Sequence, residues 1–176
     1  MGVSTCFVYI FAAIAPFIAM NIFGLTSSEY GLANILPPIG LILGSIVGAK
    51  LSKKYALESI IYAGILIAGL GTIGMFAALF MHYSVVFSLF LPMIIIYFGL
   101  CFIMANASTI AMSHVSDKAH GSAVMNFINM GLATLVVLSL SLFPINPSLL
   151  PAIYIILCAA SIGIFKCVTK QSEASI

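Results

Sequence analysis

His120 and Ser122 stand two residues apart in the stretch HGSA, and a serine near a histidine is where nucleophilic chemistry would begin. Such chemistry needs the nucleophile and its base held together in a sheltered site. Here both fall where the polar run AMSHVSDK gives way to an apolar one, and no histidine or aspartate lies within an apolar run to act as base. The four cysteines, Cys6, Cys101, Cys158 and Cys167, have no paired spacing and suit small packing positions better than metal or redox roles. His82, His114 and His120 form no ligand set, and no glycine-rich phosphate loop is present. The chain is therefore read as no enzyme, with no catalytic residue, metal or cofactor, and with no nucleic acid as partner.

What remains is a small set of neutral polar residues within apolar runs. Asn126 and Asn129, at i and i+3, share a helix face with Ser122 and Ala133, and Asn106 pairs with Thr109 in the same way. Tyr9, Asn21 and Asn34 add further polar atoms. Interhelical hydrogen bonds, worth about 1 kcal/mol or less each, would explain them all. A polar cavity lining is the functional alternative, and both readings stand for Asn126 and Asn129. Tyr9, Asn34, Asn106, Asn126 and Asn129 are the candidate substrate-cavity residues.

The elements that must hold these residues follow from composition. Charged residues make up 6% of the 176-residue chain, against roughly 25% in an average soluble domain. Apolar residues reach 63% and mean hydropathy is +1.27, too few polar groups to cover a water-facing surface. The expected class is an all-α membrane protein. A helix crossing a core of about 30 Å needs about 20 apolar residues, and six stretches qualify: 3–23, 31–51, 59–81, 84–110, 119–143 and 148–168. Residues 1–170 form this six-helix domain, followed by a short tail over 171–176. The apolar runs are continuous rather than alternating, which argues against a β-barrel. The first stretch starts almost at Met1, as though something upstream were missing.

Six spans place both termini on one side. Lys50, Lys53, Lys54, Lys118, Lys166 and Lys170 all belong to that side, and the opposite connections carry Glu29 and His82 but no lysine. The positive-inside rule makes the lysine-bearing side the cytoplasm, with Lys50, Lys53 and Lys54 anchoring the second connection there. Gly40, Gly44 and Gly48 recur every four residues as a ridge that lets another helix approach closely. Pro16, Pro37, Pro38 and Pro92 would bend or loosen their helices.

Two stretches, YIFAAIAPFIAMNIFGLTSSEYGLANIL and GLCFIMANASTIAMSHVSDKAHGSAVMNFINMG, carry a family resemblance. In the first, Tyr9, then Ala15-Pro16-Phe17, then Gly24 with Thr26, then Tyr30-Gly31 follow the order of a seventh helix and its loop. In the second, Asn106 to Met112, the short loop and Gly121-Ser122-Ala123 are similar to a tenth and eleventh helix, with Ala105 where proline is common. The chain resembles the C-terminal half of a major facilitator superfamily transporter, and more narrowly the bacterial drug:proton antiporters of the bicyclomycin-resistance (Bcr/CflA) type. Gly48, Leu51, Lys53 and Lys54 look like the weaker copy of the superfamily's loop motif. Ser52 stands for its acid and Tyr55 for its second glycine.

The resemblance implies half of a twelve-helix bundle in a bacterial cytoplasmic membrane, acting in multidrug efflux. It implies small apolar or cationic drug-like substrates, protons as coupling ion, and a second six-helix half or a homodimer to complete the bundle. A different class also fits the glycine ridge and the absence of ionisable residues mid-span: a six-span structural or interaction protein, or a pore-forming oligomer without coupled transport.

Overall fold

The computed structural model describes residues 1–81, 83–113 and 115–174. His82 and His114 lie outside the described residues, as does the side chain of Lys170. The chain is 84% helical, with no strand among the described residues. Six helices are long and apolar enough to cross a membrane: Gly2–Ile22, Ser27–Leu51, Leu57–Phe80, Val86–Ser113, Lys118–Leu140 and Leu149–Cys167. This is a multi-pass membrane protein.

The first span is α1 (Gly2–Phe17) continued by a π-helical turn over Ile18–Ile22. It stops at Gly24, whose φ of 75° is a left-handed conformation that costs an L-residue with a side chain about 1–2 kcal/mol. The Leu25 N–H then reaches back to the Ala19 carbonyl at 3.0 Å, satisfying a helix end that has no further turn to bond.

The second span differs from the single helix expected over 31–51. It begins earlier, at Ser27, and it is broken. Thr26 caps α2 (Ser27–Ala33): its hydroxyl accepts from the Glu29 N–H at 3.3 Å, and the Glu29 carboxylate accepts from the Thr26 N–H at 2.8 Å. This reciprocal box ties down two of the otherwise unbonded amides at a helix start. Asn34 and Ile35 form a turn, and α3 (Leu36–Leu51) restarts with Pro37 and Pro38 in its first turn. Proline is tolerated there because those N–H groups would have no intrahelical acceptor. The prolines therefore divide the span rather than bend it.

The third span is α4 (Leu57–Phe80), and the fourth starts with a π-helical turn over Val86–Phe90 before α5 (Leu91–Ser113). Pro92 explains that turn. It has no N–H for the Ser88 carbonyl and its ring crowds that carbonyl, so the coil widens and the Leu91 N–H bonds to Val86, five residues back. The last two spans are α6 (Lys118–Leu140) and α7 (Leu149–Ala174), the latter continuing through most of the segment expected as a tail.

Helix α5 is the packing centre, with α4 along one side and α3 along another. Helix α6 packs chiefly on α1, while α7 bridges α4 and α1. The contacts between α5 and its two neighbours are backbone-close. A Cβ at Gly40 would stand 2.1 Å from the Ile94 carbonyl oxygen, and one at Gly44 2.6 Å from that of Phe98. Gly48 is looser, with the Phe102 ring at 3.2 Å. Gly64 and Gly99 face each other so closely that a Cβ on either would come within 2.7 Å of the other's carbonyl oxygen. Without a hydrophobic force between helices in lipid, such proximity is what lets van der Waals contact and dipoles hold them.

The pairing of spans has an internal regularity. First packs with fifth, second with fourth, third with sixth, and first touches fourth. Exchanging spans 1–3 with spans 4–6 maps each of these pairs onto another or onto itself. Because each repeat has an odd number of spans, the second runs through the membrane in the opposite sense to the first.

Candidate substrate-binding surfaces

Two open grooves flank α6. One, of about 400 Å³, lies between α1 and α6 and is lined by Tyr9, Ala12, Ala13, Ala133, Thr134 and Val137 among others. Tyr9 sits near the middle of its span and is 41% exposed. The other groove, of about 440 Å³, runs from the connection between α5 and α6 along the first half of α6. Asp117 and His120 are at its mouth, Met112, Val124, Met125 and Ile128 form its walls, and Asn129 is at its far end.

The connection at that mouth is braced locally. The Asp117 carboxylate caps α6, accepting from the Ala119 and His120 N–H groups at 3.1 Å each. An acid here also complements the positive end of the helix dipole. The Lys118 ammonium donates to the Met112 carbonyl in the last turn of α5, one of the carbonyls a helix end leaves open. The two helices are thereby joined end to end with little side-by-side packing.

The five candidate cavity residues do not gather in one place within this chain. Tyr9 lines the α1–α6 groove and Asn129 the α5–α6 groove. Asn126 is exposed on α6 and belongs to neither lining, while Asn34 is exposed in the turn between α2 and α3. Asn106 is 4% exposed, and its amide donates to the Phe102 carbonyl of its own helix at 2.7 Å. Asn126 and Asn129 separate because three residues turn the helix by about 60° short of a full circle. That rotation carries Asn129 under α1, where its Oδ1 would be 3.4 Å from a Cβ at Gly2, and leaves Asn126 outside.

Lys50 occupies the last turn of α3, where a cation suits the helix dipole, and Lys53 and Lys54 are exposed just beyond it. The Lys54 ammonium lies 5.5 Å from the centre of the Tyr55 ring. Among the described residues no three of His, Cys, Asp and Glu come together.

Thr134 and the groove methionines Met112 and Met125 were not singled out by sequence reasoning. Nothing in their spacing distinguishes them from lipid-facing or core residues. Comparison with protein-family models, with curated proteins and with solved structures gives no match to this chain. The grooves combine apolar walls with a few polar groups, among them Asp117 and His120 at the mouth of the α5–α6 groove.

Proposed function

We propose that the chain is a six-helix half of a major-facilitator-type transporter, serving multidrug efflux across a bacterial cytoplasmic membrane with a second six-helix unit. The observation that carries this reading is the exchange of span pairings between residues 1–81 and the remainder of the chain. Two oppositely oriented three-helix repeats are the building plan of each half of such transporters. The lysines confined to one side and the broken or π-turned first, second and fourth spans add support. No Asp, Glu, Lys or Arg falls mid-span, so coupling to protons would rest on the partner's residues.

The test is dye export from cells that express the chain alone, beside cross-linking of the chain in its native membrane. The expected outcome is no export by the chain alone and one complementary six-helix partner in the cross-linked product. Proton-coupled export by a verified monomer would overturn the need for a partner. A symmetric ring larger than a dimer would replace the transporter with a pore.

A further inference from the structure

The corner between α3 and α4 holds Lys50, Lys53 and Lys54, three of the six lysines of the chain, against Glu58 in the first turn of α4. It is a tight corner rather than a loose loop. The Ser52 N–H donates to the Gly48 carbonyl, and the Lys54 and Tyr55 N–H groups both donate to the Leu51 carbonyl, each at 2.9 Å. Helical winding therefore runs on through Tyr55. At about 100° per residue, Lys50, Lys53 and Lys54 continue the face that carries Leu43, Ile46 and Val47. That face lies about a third of a turn from the glycine ridge that meets α5, and all six of its side chains are exposed. One strip of α3 thus passes from apolar side chains at hydrocarbon depth to three ammonium groups at the lysine-bearing end.

The charge of this corner is unmet. Among the described residues the Lys50 and Lys53 ammonium groups have no hydrogen bond or ion pair, and that of Lys54 has only the Tyr55 ring. Lys118, by contrast, is held by the Met112 carbonyl. Helix α4 also starts here without a side-chain cap, because Ala56 has no oxygen to offer, so its first amides add to the positive field. Tyr55 is exposed beside them, and its amphipathic ring suits headgroup depth. A soluble anion would use the lysines and leave the apolar strip idle, whereas an acidic peptide would have to enter hydrocarbon to cover it. We propose that this strip binds one anionic phospholipid, with its headgroup on Lys50, Lys53 and Lys54 and an acyl chain along Leu43, Ile46 and Val47. A choline headgroup would bring a cation against the same lysines and is disfavoured. Only the membrane placement of the six spans is needed for this, so it stands apart from transport and from a second unit.

Native mass spectrometry of the full chain tests it, with phosphatidylglycerol or phosphatidylcholine of equal chain length added in detergent. The wild type should retain one phosphatidylglycerol, about ten-fold more tightly than phosphatidylcholine. Lys53→Gln together with Lys54→Gln should weaken that retention about 30-fold, equivalent to about 1 kcal/mol for each lysine. Lys118→Gln should leave it unchanged. Equal retention of the two lipids by the wild type would overturn the anionic headgroup. A loss in Lys118→Gln equal to that in the double variant would overturn the site in favour of diffuse attraction to any lysine on that side. Displacement of the lipid by equimolar inorganic phosphate would show a free-anion site and remove the acyl strip from it. The comparison of lipids on the wild type decides the charge of the ligand even if the double variant does not fold.

Discussion

Tyr154 on α7 is fully buried, and its hydroxyl donates to the carbonyl of Phe7 on α1 at 2.8 Å while the two rings lie 4.7 Å apart. A phenol cannot sit in an apolar core without a partner, so the bond fixes where α7 meets α1. Tyr154→Phe keeps the ring contact and removes only the donor. The expected loss is about 1 kcal/mol or less, because interhelical hydrogen bonds in membranes contribute little net stability. Thermal unfolding of the purified protein in detergent checks it, and a loss several times larger would mean that the ring itself had moved. At the same scale, Gly24→Ala should destabilise by about 1 kcal/mol, because alanine adopts the positive φ at a cost that glycine escapes.

Helices rather than residues decide how α3 is held. Gly40 meets the backbone of α5 at Ile94, and backbone cannot move aside as a side-chain tip can. Gly40→Ala should therefore cost about 1–3 kcal/mol through forced separation of α3 from α5. Gly69→Ala on α4, where nothing lies within 4 Å, should be neutral or slightly stabilising. Parallel melting curves of the two variants separate a packing role from a general intolerance of alanine. The spacing of Gly40, Gly44 and Gly48 is visible in the chain itself, but the helix they meet is not, because that partner lies more than fifty residues away. The six spans were legible for a similar reason of composition. The break at Asn34–Ile35 was not: a twenty-residue hydropathy window passes through it, although Thr26 and Glu29 already spelled the cap that opens α2. The polar residues of the candidate surfaces were legible as types. Their neighbours were not, since only the position of α1 decides that Asn129 is covered and Asn126 is bare.

At the scale of the whole molecule, orientation rests on few charges. The connection after α3 holds Lys53 and Lys54, both exposed, with Lys50 one turn before. If these lysines set the topology, a C-terminal fluorescent reporter that folds only inside the cell will shine, and a C-terminal phosphatase that works only outside will be silent. Lys50→Glu, Lys53→Glu and Lys54→Glu together should produce a mixed population, scored by the ratio of the two reporter signals. An unchanged ratio would assign the orientation to Lys118, Lys166 and Lys170.

The span pairing also has a consequence for how the chain is made. Helices α1, α3 and α4 barely touch one another, and each finds its main neighbour in a later span: α1 in α6, α3 and α4 in α5. A ribosome delivers them in order. The first three helices thus enter the bilayer as near-strangers, with the ridge of α3 facing lipid until α5 emerges. Packing of α3 and α4 should begin with that fourth arrival and packing of α1 only with α6, and a nascent chain stalled before the fourth span should be the species that quality-control proteases remove.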